Sequence, residues 1–236
     1  MKGIILAGGK GTRLLPMTKI TNKHLLPIYN EPMIMFPLKR LINLGIKDIM
    51  IVSGKGHAGH FLELLGSGHE LGIRLSYSVQ EESLGIADAL KITEDFADGE
   101  KIAVILGDNI YENDFEIKDF KEGARIFLKE VNNPNRFGVA TLNGNKVIKI
   151  IEKPTNPETN YAVTGFYLFD ETVYDKIRKL KISDRGEYEI TDINNMYIKE
   201  NKLDYKKIEG FWSDAGTIES LFIASEFIRN HEKRKM

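Results

Sequence analysis

The first 28 residues constrain the fold of this chain more than any other stretch. Four apolar residues, 4–7, run directly into residues 8–13, which read Gly-Gly-Lys-Gly-Thr-Arg. A short apolar run closed by glycines predicts a buried strand that enters a tight loop. Glycines allow backbone N–H groups to approach an anion closely, and Arg13 and Lys23 add positive charge. The stretch therefore predicts a strand followed by a loop that binds the triphosphate of a nucleotide.

Short apolar runs then alternate with helical patterns. We predict strands at 49–52, 75–79 and 102–106, and helices at 33–43, 57–65 and 85–93. Strands that alternate with helices predict a parallel α/β sheet, in which ligands bind beyond the carboxyl ends of the strands. Residues 8–13, Gln80 and Asp108 all follow strand ends, so we expect them to line one crevice.

The second half has a different pattern, which predicts a mixed sheet. Asn143 and Gly144 lie between two apolar runs, which predicts a hairpin. Thr217 is expected to cap the last helix. We predict strands at 137–141, 147–151, 161–169, 203–207 and 210–212, and helices at 171–180, 190–199 and 217–230. No element is assigned between residues 110 and 136.

Composition excludes several classes of protein. The chain has no cysteine, which excludes disulfides and thiolate metal sites, and its net charge of −1 provides no general attraction for nucleic acid. The first forty residues nevertheless hold seven Lys or Arg and a single acid, Glu31, which suits a small polyanion. A solvated basic surface explains several of these side chains equally well. The N-terminal apolar run is too short for a signal peptide or a membrane span, so we expect a cytoplasmic protein with no membrane partner.

Two common nucleotide-binding motifs do not match the glycine loop. No Gly-Lys pair is followed by Ser or Thr, as a P-loop requires. The loop has Gly-Gly-x-Gly spacing, and residues 52–54, at the end of the second predicted strand, lack the acid of a dinucleotide fingerprint. A nicotinamide-dependent dehydrogenase is therefore a weak alternative.

Residues 6–28 resemble the signature of the sugar-1-phosphate nucleotidylyltransferases, G-G-x-G-T-R-L-x-P-x-T followed by K-x-L-L-P. The resemblance continues in the family's order and is greatest for the thymidylyl branch. The further matching segments are residues 107–109, 136–139, 152–154, 160–165, 185–194 and 212–217. It implies a Rossmann-like three-layer α/β fold with a mixed, mostly parallel central sheet.

The resemblance also implies an activity. A member of this branch transfers a deoxythymidylyl group from dTTP to glucose 1-phosphate, giving dTDP-glucose, which commonly enters deoxysugar or rhamnose synthesis. The chain has no internal repeat and no clear linker, so we predict one domain over residues 1–236, with 1–110 mainly binding nucleotide and 111–236 mainly binding sugar phosphate. Family members commonly form homo-oligomers, and a dimer or tetramer is expected here.

The chemistry of such a transfer needs positive charge and no base. A sugar phosphate is already an anion, so two repelling substrates must be aligned and their charge neutralised. The resemblance implies that Asp108 and Asp214 hold Mg²⁺, a cation that prefers oxygen ligands. It implies that Arg13 polarises the departing pyrophosphate and that Lys23 pairs with phosphate oxygens, which makes these two residues catalytic. Taken alone, Asp108 reads equally well as a turn-forming residue.

The remaining candidates are binding residues. The amide of Gln80 can donate and accept at once, which matches a pyrimidine edge, and Gly85 leaves room beside it. Without the resemblance, Glu152 and Lys153 would read as a solvated ion pair. The predicted nucleotide-binding residues are Leu6, Gly8, Gly9, Gly11, Thr12, Arg13, Lys23, Gln80, Gly85 and Asp108. The predicted sugar-phosphate-binding residues are Asn109, Phe137, Gly138, Glu152, Lys153 and Val163.

Two departures from the branch leave alternatives open. His24 stands where members often have Gln, and Asp88 stands where they often have Gln in G-L-A-Q-A. Use of UTP or of another sugar phosphate is therefore the nearest alternative, and a catalytically silent nucleotide-sensing subunit is a second. Longer members continue with helices that help to form a regulatory nucleotide site, so regulation by such a site is left open.

Overall fold

The computed structural model describes residues 1–233, so residues 234–236 of the predicted domain lie outside the described part. The strands are β1 Lys2–Ala7, β2 Pro27–Ile28, β3 Glu31–Pro32, β4 Asp48–Gly54, β5 Arg74–Gln80, β6 Ile102–Leu106, β7 Asn109–Tyr111, β8 Ala124–Glu130, β9 Gly138–Asn143, β10 Lys146–Glu152, β11 Tyr161–Phe169, β12 Leu203–Lys207 and β13 Trp212–Asp214. The helices are α1 Met35–Asn43, α2 Ala58–Leu65, α3 Ile86–Lys91, α4 Glu94–Ala97, α5 Val173–Ile177, α6 Ile190–Lys199 and α7 Ile218–Lys233.

Nine strands form one mixed sheet, as predicted. Strands β5, β4, β1 and β6 are neighbours in that order and run parallel. Strand β11 then pairs antiparallel with β6, and β9 and β10 form the predicted hairpin. Because β1, β5 and β6 are parallel, their carboxyl ends meet at one edge, where the glycine loop, Gln80 and Asp108 lie.

The sheet divides at β11, and this division creates an opening. One edge of β11 pairs with β8 at both of its ends. The other edge pairs with β6 at residues 166–169 but with β9 at Ala162. Residues 163–165 therefore face the gap between β6 and β9. A cavity is lined there by Val163 and Gly165.

Alternating side chains of β1 reach two separate hydrophobic cores, one on each face of the sheet. Ile4 and Leu6 belong to a core that includes residues of α3, α5 and α6. Ile5 and Ala7 belong to a core that includes Leu38 of α1 and other residues from α1 and α2. This alternation is expected for a strand with helices on both faces, and it confirms the three-layer α/β prediction.

The sequence patterns miss the short strands β2, β3 and β7, the longer strand β8 and the short helix α4, and they place some ends differently. Strand β8 was not predicted, although all but its last two residues are buried. Helix α5 is shorter than the predicted 171–180, and β13 starts at Trp212 instead of residue 210. The predicted cap of α7 is confirmed, because the Thr217 hydroxyl accepts a hydrogen bond from the Ser220 amide at 3.2 Å. No helix within residues 1–233 has the length and apolarity needed to cross a membrane.

Candidate active site

Two adjoining cavities open at the carboxyl edge of the sheet. The first, of about 300 Å³, lies between the glycine loop, the end of β5 and the start of α3. The second, of about 260 Å³, lies in the gap between β6 and β9. Both are lined by Arg13, Asp108 and Glu187, so these side chains mark the junction.

The structure brings most of the predicted site residues to these cavities. All six predicted sugar-phosphate residues line the second cavity, together with Asp214. Eight of the ten predicted nucleotide residues line the first cavity, which lacks only Gly11 and Thr12. Gly11 packs against Thr18, whose hydroxyl donates to the Gly11 carbonyl at 2.7 Å, and Thr12 begins a short 3₁₀ turn. The ligand-binding roles of all these residues stay predictions.

Gly85 has a structural role in addition to the predicted one, which stays a prediction. Its φ is +101°, and a β-carbon there would lie 2.7 Å from the Tyr188 carbonyl oxygen and 3.1 Å from the Tyr188 nitrogen. The Tyr188 amide also donates to Leu84 O at 2.8 Å. The missing side chain therefore allows the segment around Tyr188 to approach α3. The same segment contains Glu187, which lines both cavities. The close approach that Gly85 allows therefore helps to form the wall that the cavities share.

We expect Gly85→Ala to destabilise the fold. A positive φ and the contact with the Tyr188 backbone together should lower the free energy of unfolding by about 2–4 kcal/mol. Urea unfolding followed by circular dichroism measures this. The matched control is Gly59→Ala in α2, where a β-carbon meets nothing within 4 Å, and stability should rise slightly. Equal free energies of unfolding of the two variants would contradict this structural role of Gly85.

The carboxylates of Asp108 and Asp214 converge at the junction. Asp214 lies in β13, which pairs with β7, and the Ala215 amide donates to Asp108 O at 2.8 Å. A β-carbon placed on Gly216 would lie 3.6 Å from one oxygen of each carboxylate, and 3.2 Å from Arg13 Nη2. A short ribbon thus brings together two acids that are more than one hundred residues apart in sequence.

The charges of these two acids are coupled. Burial opposes ionisation of Asp108, but Lys23 Nζ lies 2.5 Å from Asp108 Oδ2 and holds the pKa of the carboxyl well below its usual range. Burial and the nearby Asp108 charge raise the pKa of Asp214. Arg136, at 2.9 Å from Asp214 Oδ2, partly offsets this. The pair is thus a concentrated negative site that positive charge stabilises.

Two carboxylates of this kind fit a magnesium ion. Mg²⁺ is typically held by one or two protein carboxylates and completes its coordination with water and substrate phosphates. Within residues 1–233 no cluster of three or more His, Cys, Asp or Glu forms a site for a fully protein-bound metal. The oxygen donors present therefore suit a cation that is shared with a substrate.

Asn109 holds Asp108 in place. Its Nδ2 donates to Asp108 Oδ1 at 2.9 Å. Its Oδ1 accepts from the Gly165 amide at 3.0 Å and from Trp212 Nε1 at 2.8 Å. These bonds connect β7, β11 and β13, so the amide that was predicted to bind sugar phosphate is engaged inside the protein.

Arg136 lines the second cavity, and no role was predicted for it from the sequence. Its guanidinium forms two hydrogen bonds to Asp214 and lies 5.3 Å from the centre of the Phe137 ring. Phe137 in turn packs on Trp212 at 5.1 Å between ring centres. The only sequence signal for Arg136 was its position directly before Phe137 and Gly138 in a family motif.

The second cavity presents an oriented carboxylate and a lysine. Glu152 accepts from the Thr191 hydroxyl at 2.6 Å and from Arg185 at 3.2 Å. Lys153 follows it with a left-handed φ of 42°, which non-glycine residues rarely adopt. The Lys153 amide donates to Phe137 O at 2.9 Å and so supports this conformation. Backbone strain of this kind is concentrated at functional sites.

His24 is a buried residue in the wall of the first cavity, and its hydrogen bonds lie within the protein. Asn22 Nδ2 donates to Ala7 O at 3.2 Å, which leaves Asn22 Oδ1 to accept from His24 Nδ1 at 2.7 Å. Nδ1 therefore carries the proton of a neutral imidazole. A β-carbon on Gly107 would lie 2.7 Å from the His24 ring. Burial, reinforced by Lys23, lowers the pKa of His24 to about 3.

This histidine should make the fold sensitive to acid. Because the pKa of His24 is lower in the folded than in the unfolded chain, its contribution is complete above the unfolded value of 6.5 and is lost as the pH falls towards 3. At pH 5 the loss should be about 2 kcal/mol. In His24→Gln, the decrease in the free energy of unfolding between pH 7.5 and pH 5 should be smaller by that amount. Urea unfolding at both pH values measures it.

The control for this experiment is His69→Gln, which removes an exposed histidine. This variant should retain the full decrease in stability between the two pH values. If both variants retain it, the acid sensitivity does not come from His24.

The comparisons with known proteins agree with this geometry. The family model described as nucleotidyl transferase matches residues 2–231, and the chain belongs to this family. Among its relatives is a glucose-1-phosphate thymidylyltransferase of Neisseria meningitidis, 42% identical over 97% of this chain and 83% of the relative. An enzyme of the same name from Mycolicibacterium smegmatis is 41% identical over 100% of this chain and 84% of the relative.

Solved structures agree as well. A crystal structure from Bacillus anthracis, assigned as a glucose-1-phosphate thymidylyltransferase and containing sucrose, superposes with a TM-score of 0.93 at 50% identity, over 98% of this chain and 96% of that one. A UDP-glucose pyrophosphorylase complexed with UDP-glucose has a TM-score of 0.86 at 22% identity, over 98% of both chains. The second comparison supports the fold alone.

Proposed function

We propose that this protein transfers a deoxythymidylyl group from dTTP to α-D-glucose 1-phosphate, giving dTDP-glucose and pyrophosphate. The observation that carries the proposal is the junction: two cavities meet where Arg13, Asp108 and Asp214 converge. The relatives at about 40% identity over nearly the whole chain are named for this reaction. In this assignment the nucleotide occupies the first cavity and the sugar phosphate the second.

The mechanism is a direct displacement. A phosphate oxygen of the sugar phosphate attacks the α-phosphorus, the bond from that phosphorus to the bridging oxygen breaks, and pyrophosphate leaves with the electron pair. The attacking oxygen is already an anion, so no base is needed. Lys153 holds the sugar phosphate, and Glu152 accepts hydrogen bonds from sugar hydroxyls. Arg13 and Lys23 neutralise the phosphate oxygens that gain charge.

Asp108 and Asp214 are the residues that would hold Mg²⁺, which supplies positive charge to the nucleotide phosphates. Lys23 and Arg136 compensate the two carboxylates in the free protein. With Mg²⁺ bound to the two carboxylates, Lys23 and Arg136 would be available to phosphate oxygens.

The test is pyrophosphate release from purified protein. It should require Mg²⁺, a nucleoside triphosphate and glucose 1-phosphate together, with dTTP preferred over UTP, CTP and ATP. A strong preference for UTP would favour uridylyl transfer instead, and no release under any condition would favour a silent sensing subunit. Chelation with EDTA should abolish release, and added Mg²⁺ should restore it.

A homo-oligomer in the cytoplasm is the setting that we propose for this activity. The family resemblance suggests an oligomer, and α7 exposes a set of large apolar side chains, namely Ile218, Phe222 and Ile223. Light scattering of the purified protein tests the prediction, which a monomer at micromolar concentration would contradict.

A further inference from the structure

The side-chain amide of Gln80 is held in a single orientation. Its Nε2 donates to Asp88 Oδ2 at 2.8 Å and to the Gly85 carbonyl oxygen at 3.2 Å. An ionised carboxylate and a carbonyl accept hydrogen bonds but cannot donate them, so the nitrogen of the amide must face them. Turning the amide over would place Oε1 against two acceptors and leave both without a donor. Both N–H groups of Gln80 are therefore used within the protein.

The oxygen of the same amide is available to a ligand. A β-carbon on Gly8 would lie 2.9 Å from Gln80 Oε1, which places this oxygen beside the glycine loop. Gln80 lines the first cavity, and no hydrogen bond to its Oε1 is formed within residues 1–233. The cavity thus meets an acceptor at this point, not the donor and acceptor together that the sequence suggested.

We infer that Asp88 is a positioning residue that determines nucleobase specificity, because it fixes Gln80 as an acceptor that selects a ring N–H and rejects cytosine. Thymine and uracil carry a proton on N3, which can donate to Gln80 Oε1. The N3 of cytosine is itself an acceptor, so its lone pair would face a lone pair of the buried Gln80 Oε1. Neither atom would then have a hydrogen-bond donor. The inference rests on the proposed placement of the nucleotide in the first cavity.

A site that pairs with a substrate N–H rejects an analogue without it far more strongly than a site that measures size alone. We therefore expect discrimination against cytosine of about a hundredfold or more. Asp88 has its effect through Gln80 and is not expected to touch the phosphates. Its loss should change the ratio of affinities between bases more than the reaction rate with the favoured base.

The experiment compares dUTP with dCTP. Both lack the 5-methyl group, and they differ at the base edge that carries N3. Calorimetric titrations with Mg²⁺ and without sugar phosphate give the two dissociation constants. Wild-type protein should bind dUTP at least about a hundredfold more tightly. In Asp88→Asn the new amide can present either an oxygen or an N–H group, so only the Gly85 carbonyl still opposes the turned-over Gln80 amide, and that bond is the longer of the two. The dUTP/dCTP ratio should then fall at least about tenfold, which is 1.4 kcal/mol.

The matched control is Asp95→Asn, which removes an exposed carboxylate on the neighbouring helix α4. It should leave the ratio unchanged. If Asp88→Asn does not fold, as judged by circular dichroism, Asp88→Ser is measured instead, since a hydroxyl also both donates and accepts.

The result separates this inference from the proposed reaction. Equal binding of dUTP and dCTP by the wild-type protein would overturn the inference, as would an unchanged ratio in the folded Asp88 variant. Because no sugar phosphate is present, failure of the transfer reaction leaves these titrations informative. Conversely, efficient transfer from dTTP combined with an unchanged ratio would overturn the role of Asp88 alone.

Discussion

Asp108→Asn should lower kcat by about a thousandfold while the protein stays folded. The amide keeps the shape of the side chain but removes one of the two charges that converge beside Gly216. Stability should change little, because the variant loses the Lys23 ion pair but also relieves repulsion with Asp214. Pyrophosphate release measures the rate, and thermal unfolding should show a shift within about 4 °C.

The matched control is Asp204→Asn, which also neutralises an acid paired with a cation. Arg125 Nε donates to Asp204 Oδ2 at 2.8 Å, neither residue lines the two cavities, and the Arg125 side chain is 5% exposed. This variant should lose about 1 kcal/mol of stability and keep its turnover. Near-normal turnover in Asp108→Asn would remove Asp108 from the mechanism.

Arg13→Ala should lower kcat by about a hundredfold to a thousandfold. Its guanidinium lies at the junction, and charge accumulates on the departing pyrophosphate as the bond breaks, so the loss should fall on the chemical step. Steady-state rates with dTTP and glucose 1-phosphate separate kcat from KM. Arg13→Lys should recover part of the rate, because the charge is retained but the two-pronged geometry is lost.

The control here is Arg178→Ala, which removes an exposed arginine that pairs with Glu94 and Asp175 outside the cavities. It should leave kcat unchanged. A loss in Arg13→Ala that appears only in KM for dTTP would instead make Arg13 a residue that binds the ground state.

Much of the nucleotide side could be predicted from the sequence because it is local. The strand at residues 4–7, the glycine loop and Lys23 are close in sequence, and periodicity places Gln80 and Asp108 at the ends of parallel strands. The β9–β10 hairpin and helix α6 were also located by local patterns and turn residues. Each of these elements has its own signal in a short window.

The sequence could not reveal the roles that depend on distant partners. The gap that holds the second cavity exists because β11 pairs with both β6 and β9 along one edge, and no local pattern encodes that division. The same holds for Arg136, whose partner Asp214 is on strand β13. It also holds for Gly85, because its missing side chain lets the distant Tyr188 backbone approach closely. Strand β8 was missed because its uninterrupted apolar run is only three residues long, 126–128, whereas its pairing with β11 and β12 extends over the whole strand.

The amino-acid sequence by itself determined the class of chemistry, since glycines, cations and two acids without a nucleophile suit phosphoryl transfer between anions. Only the tertiary structure decided which groups are free to act. Asn109 and the nitrogen of Gln80 are occupied inside the protein, whereas Gln80 Oε1 and the paired carboxylates face the cavities. The physical reason is that a side chain's hydrogen-bonding capacity is limited, and its use depends on neighbours that folding brings from elsewhere in the chain.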